Sequence, residues 1–128
     1  MENGIIFFAD GKEYTMPPLI SGLLLRGHRV VLTAFSLKNA LLAVNEGLLG
    51  EKGVNVAIVG DGFPDGSGEI TFSGLVIVEA IRRREPSIKV ITYNEFTVDE
   101  TINGTAHVFK GYSNPAKLLA EAIASLVK

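Results

Sequence analysis

The sequence predicts an α/β domain: a doubly wound, five-stranded parallel sheet covered by helices. Three observations lead there. Five short apolar runs recur along the chain, segments with apolar residues at helical spacing separate them, and no linker, repeat or low-complexity stretch breaks the alternation. Runs that are apolar throughout suit strands buried on both faces, and right-handed crossovers place helices on those faces. The length of 128 residues is expected to form one domain over 1–128, because domains of roughly 100–150 residues bury a core of their own.

The first strand is "IIFFAD" (5–10), a continuous apolar run closed by an acid. "TMPPLISGLLLRG" follows as a helix, with Thr15 as N-cap, prolines in the first turn, Leu19, Ile20, Leu23 and Leu24 at helical spacing, and Gly27 beyond the end. "RVVLTAF" (29–35) is β-branched and makes the second strand. In "SLKNALLAVNEG", Ser36 is the cap, Leu37, Ala40, Leu41 and Val44 share one face, and Gly47 is the stop. "VNVAIVGD" (54–61) is the third strand. After a Gly-rich loop, "SGLVIVEAIRRREP" reads as a capped helix ending before Pro86.

"IKVITYN" (88–94) makes the fourth strand. The polar segment from Glu95 to Gly104 has room for two helical turns at most, so the fourth helix is expected to be short or missing. "AHVFK" (106–110) is the fifth strand. "SNPAKLLAEAIASLVK" closes the chain as the best-signalled helix, with Asn114 as cap, Pro115 at the first helical position, and Leu118, Leu119, Ala122, Ile123 and Leu126 facing the core.

Composition removes several function classes. Hydrophobic residues at 47% and charged residues at 20% describe an ordinary globular chain rather than a disordered one. Twelve basic against fourteen acidic residues give a net charge of -2, which offers no electrostatic footprint for nucleic acid or anionic membranes. With no cysteine, disulfides, thiolate chemistry and zinc–cysteine sites are excluded. "MENGIIFFADG" lacks the basic flank and long apolar core of a signal peptide, and no run reaches the roughly 18 apolar residues of a spanning helix. The expected location is cytoplasmic.

Doubly wound sheets bind ligands beyond the carboxyl ends of their strands, where the winding direction reverses. The residues expected at those ends are Asp10, Thr33, Asp61, Asn94 and Lys110. Two acids, an amide and a lysine therefore converge on one rim.

The stretches "IIFFADG", "RVVLTAFSLKNALLAVNEG", "SGLVIVEAIRRREPSIKVITYN" and "VFKG" with the final helix resemble, along nearly the whole chain and in the same sequence, a response-regulator receiver domain. The resemblance implies the flavodoxin-like strand order 2-1-3-4-5, which makes strands one and three neighbours and sets Asp10 across from Asp61. Two close carboxylates repel, and an oxygen-preferring cation such as Mg²⁺ relieves the repulsion. In receivers an aspartate ending strand three accepts a phosphoryl group, and Asp61 is the candidate. Asp10, Asp61 and the backbone carbonyl of Gly62 would hold Mg²⁺. Lys110 matches the lysine that neutralises phosphoryl oxygens. Asn94 stands where the family usually has a Ser or Thr hydroxyl.

Three departures accompany the match. Asp10 stands between Ala9 and Gly11, where receivers carry two adjacent acids, and one lost carboxylate should weaken Mg²⁺ binding. Counting back from Pro64 by the family's usual spacing lands on Gly60, which would leave the receiver without a phosphoacceptor. The loop from Asp61 to Gly74 is longer than usual, however, so the proline is a poor ruler. Finally, the segment between Asn94 and Lys110 is short for a full helix, which suggests a different partner surface.

The resemblance implies a stand-alone receiver in two-component phosphorelay signalling: a sensor histidine kinase or phosphotransfer protein donates to Asp61, and the acyl phosphate, not conventional enzyme turnover, changes the face read by a downstream protein partner. The alternative is a pseudo-receiver, a phosphorylation-independent interaction module. Each residue also has a plainer role. Asp61 and Asp65 suit turns, Lys110 and Arg82–Arg84 suit solvated positions, and His28, His107, Tyr93, Phe109 and Tyr112 suit packing. A calcium loop in "DGFPDGSGE" fails because Phe63 replaces a ligand. A nucleotide or flavin binder would need a phosphate-cradling loop, which "ADGKEYTMPP" does not supply.

Overall fold

The apolar runs form strands, and their burial explains why. A computed structural model describes residues 3–64, 67, 69–94, 105–109 and 114–127, with Thr71, Phe72, Asn94, Thr105 and Phe109 described by backbone alone. Strands β1 (Ile5–Ala9), β2 (Arg29–Ala34), β3 (Val56–Gly60), β6 (Lys89–Asn94) and β7 (Thr105–Phe109) form one parallel sheet in the order β2-β1-β3-β6-β7. This is the expected order, once the two short strands between β3 and β6 are numbered in sequence.

The central strands are sandwiched. Ile6 and Phe8 of β1 pack with Leu19, Leu23, Leu119 and Ile123 of helices α1 (Met16–Leu25) and α5 (Pro115–Leu126). Phe7 and Ala9 point the other way, to Ala40, Val44, Ile77 and Ile81 of α2 (Leu37–Asn45) and α4 (Gly74–Arg84). Successive side chains alternate between faces, so a run apolar at every position serves two cores at once. All residues of β3 are buried. That is what the uninterrupted "VAIVG" requires.

Caps behave unevenly. The Ser36 hydroxyl accepts from the Asn39 N–H at 3.1 Å, and the Asn114 side chain accepts from the Lys117 N–H at 3.4 Å, as their sequence positions predict. Thr15 makes no cap bond. Its hydroxyl donates instead to the Lys12 carbonyl at 2.8 Å, within a 3₁₀ turn at Glu13–Thr15 that the sequence reading did not separate from the helix. Gly47 ends α2 in the left-handed region at φ 75° and leads into the short helix α3 (Leu48–Glu51).

Two boundaries differ at the place that matters most. The third strand stops at Gly60, because its last paired residue is Gly60 opposite Tyr93, and the chain bends at Asp61. The Gly-rich loop contains a ribbon: β4 (Gly62–Pro64) pairs antiparallel with β5 (Ile70–Phe72). The segment read as a short or missing fourth helix, 95–104, lies outside the described residues, as do Lys110 and Tyr112. Among the described residues, no helix is long and apolar enough to cross a membrane.

Candidate functional site

The rim forms where β1, β3 and β6 end side by side. Ala9 pairs with Val59, so Asp10 and Gly60 are the next residues along that ladder, and Gly60 in turn pairs with Tyr93. Alternation puts Asp10 on the Ile6 and Phe8 face, Gly60 on the Val56 and Ile58 face, and Tyr93 with Ile91, which is the same side of the sheet throughout. A row of acid, glycine and phenol thus crosses three strands.

Asp10 is buried, with 1% of its surface exposed. Its N–H donates to the Ala34 carbonyl at 3.0 Å, and its Oδ1 accepts from the Lys12 N–H at 3.1 Å, so the carboxylate is tied to its own loop. Its position against Gly60 is tight. A Cβ added at Gly60 would lie 2.8 Å from Asp10 Cγ, closer than real Cβ atoms approach, and a tight 3.0 Å from each carboxylate oxygen. The space a strand-three side chain would fill is therefore taken by the Asp10 carboxylate.

Tyr93 completes the row. Its ring meets Phe8 edge-on, with centroids 6.2 Å apart and planes at 85°. Burial pushes its phenol pKa up, and the negative charge of Asp10 pushes it further the same way. Sequence reasoning treated Tyr93 as a packing residue, because nothing in "KVITYN" alone says which strand end carries the neighbouring acid.

The β1–α1 loop is seated on the ribbon. The Gly11 N–H donates to the Gly62 carbonyl at 3.1 Å. A Cβ at Gly11 would strike that same carbonyl oxygen and come within 2.9 Å of Phe63 Cα and 3.0 Å of Pro64 Cδ. Phe63 itself is fully buried in the α2–α4 core. The ribbon is thus anchored from below by an aromatic ring and from above by the loop.

The other expected site residues fall as follows. Asp61 is half-buried at the bend after β3, one position beyond the Gly60–Tyr93 pair, and its backbone carbonyl accepts from the Gly74 N–H at 3.3 Å. Gly62 opens β4 with its carbonyl engaged by Gly11. Thr33 is exposed on β2. Asn94 ends β6 opposite Phe109, and its side chain lies outside the described residues, as does Lys110. His107 Nδ1 shares a hydrogen bond of 2.9 Å with the Thr92 hydroxyl. Among the described residues, no three of His, Cys, Asp and Glu gather into a group able to hold a metal ion.

Comparison with solved structures agrees with this architecture. A CheY-like response-regulator receiver domain protein from Methanospirillum hungatei JF-1 is 20% identical with a TM-score of 0.73, the match covering 98% of this chain and 94% of the other. The complex of CheX and CheY with BeF₃ and Mg²⁺ from Borrelia burgdorferi matches at 15% identity and TM-score 0.73, covering 98% and 90%. The response regulator DrrB of Thermotoga maritima, an OmpR/PhoB homologue, matches at 17% identity and TM-score 0.65, covering 94% of this chain and 50% of DrrB. This chain therefore spans half the length of DrrB. No family model matches the sequence, and no curated protein matches it either. The protein has the fold of response-regulator receiver domains.

Proposed function

We propose that the chain is a pseudo-receiver: a cytoplasmic interaction module with a receiver fold that engages a downstream protein without a phosphoryl switch. One observation carries this reading. The residue of β3 that faces the acid of β1 is Gly60, and the Asp10 carboxylate lies against its bare α-carbon. Metal-assisted phosphoryl transfer to a carboxylate needs an open, oxygen-lined site in which cation and acceptor stand together. Here Asp10 is 1% exposed, its carboxylate is held by its own loop, and the Gly62 carbonyl already accepts from Gly11. A carboxylate engaged in this way supports a reading without a bound cation.

The surface around the rim supports a binding role. Tyr14 before α1, Ile70 on the ribbon, and Leu75 and Val76 in the first turn of α4 are all large, apolar and half or more exposed, or close to it, at 79%, 51%, 51% and 47%. Exposed apolar side chains on the strand-end side of the sheet offer contact points to a protein partner.

A second reading keeps a specific observation. Asp61 follows β3 directly and is tied to the start of α4, so it could accept a phosphoryl group from a sensor histidine kinase or phosphotransfer protein. Asp10, Asp61 and Gly62 would then hold Mg²⁺, with Lys110 and Asn94 meeting the phosphoryl oxygens. Amide NMR with Mg²⁺ and beryllofluoride separates the two readings. The expected result is unmoved signals from Asp10 to Lys12 and from Gly60 to Gly62. Saturable shifts there that vanish in Asp61→Asn would overturn the pseudo-receiver in favour of the phosphoacceptor.

A further inference from the structure

We infer that Asp10 is a latch, lodged in the slot left open by Gly60, and that this lodging holds the β1–α1 loop down on the β4–β5 ribbon. The inference deepens the pseudo-receiver reading and rests on it, since a carboxylate spent on closing the rim is not one that grips a cation.

The physical argument begins with cost. A carboxylate as buried as Asp10 is expensive unless hydrogen bonds and its surroundings compensate. The Lys12 N–H supplies one such bond at 3.1 Å. Bonds from backbone N–H groups to a carboxylate are among the stronger ones. Because that donor lies two residues on, holding the carboxylate also fixes the path of Gly11 between them. Gly11 then presents its N–H to the Gly62 carbonyl at 3.1 Å. The chain of contacts runs from Gly60, through Asp10 and Lys12, to Gly11 and the ribbon.

The slot is specific to glycine. With any side chain at position 60, Cβ would come 2.8 Å from Asp10 Cγ, and since β3 is pinned in mid-sheet between β1 and β6, the carboxylate is the group that must move. Gly60 and Asp10 therefore act as one device. The rim is held in a single closed arrangement rather than poised between two.

Hydrogen exchange on the intact protein tests this with Asp10→Ala, Gly60→Ala and the double variant. Each single change is expected to speed exchange of the Gly11 and Lys12 amides roughly tenfold, the loss expected when a local hydrogen bond no longer resists opening. Amides of Val56–Val59 should keep their protection. The double variant should exchange no faster than the worse single one, because both changes undo the same lodging. Unchanged protection at Gly11 in either single variant would overturn the latch. So would effects that multiply in the double variant, or loosening of β3 in step with the loop. A beryllofluoride response with the latch intact would instead overturn the functional reading alone, so the two failures are distinguishable.

Discussion

Replacing Gly74 with alanine sets two effects of opposite sign against each other. Gly74 is the first residue of α4, and alanine there gains up to about 1 kcal/mol of helix propensity over glycine. The added methyl, however, would run into the carbonyl oxygen of Gly60 and lie 3.1 Å from both the Gly60 carbonyl carbon and Asp61 Cα. All three obstacles are backbone, so no rotamer change relieves them. Forced overpacking of this kind costs about 1–3 kcal/mol. Since Gly60 is held opposite Tyr93 in the middle of the sheet, the upper part of that range applies. The net expectation is destabilisation by about 1–2 kcal/mol. With a urea slope near 1.5 kcal/mol/M, the unfolding midpoint should fall by roughly 1 M. A midpoint that stays put or rises in Gly74→Ala would refute the claim that α4 begins in backbone contact with the end of β3.

Other outcomes follow from single contacts. The Asn55 side chain accepts from the Ile5 N–H at 2.8 Å and donates to the Asn3 carbonyl at 3.1 Å, so Asn55→Ala should cost about 1–3 kcal/mol in denaturant unfolding by orphaning the N–H that starts β1. His28 is buried and accepts from the Gly4 N–H at 2.9 Å through Nδ1, and burial lowers its pKa below 6.5. The unfolded chain then binds the proton more readily than the folded one. The contribution of His28 is full above pH 6.5 and is lost as pH falls through its lowered folded value, a slope that His28→Gln should abolish in pH-dependent unfolding. Tyr93 should ionise above 10.0 in alkaline spectrophotometric titration, and Asp10→Asn should bring it back toward that value; no change would show that the acid and the phenol are not neighbours.

Much of the architecture was legible because the central strands β1 and β3 are apolar at every position, the pattern of strands buried on both faces. "VAIVG" and "IIFFA" could hardly lie elsewhere than mid-sheet. The ribbon was not legible, since "GFP" and "ITF" are three residues each and too short to show any period. The end of β3 was misplaced by one residue for a related reason. A polar residue after an apolar run looks like a strand end, yet pairing with Tyr93 sets the limit at Gly60. The proline count from Pro64 pointed to that glycine, and the lengthened loop gave reason to discount it. What no spacing conveys is that Asp10 leans across Gly60, because that contact depends on two strands distant in sequence standing side by side.

The hydrogen bond from Gly74 to the Asp61 carbonyl brings the two stems of the ribbon-bearing segment together at 3.3 Å. For a segment whose stems already touch, the closure entropy rises only slowly with length, by about 0.6 kcal/mol per doubling. The segment is nonetheless rooted in the framework, because Phe63 is fully buried in the α2–α4 core and the Gly62 carbonyl accepts from Gly11. A change of length beyond Phe63 should therefore cost the fold little, whereas loss of the Phe63 ring should open the core beneath it.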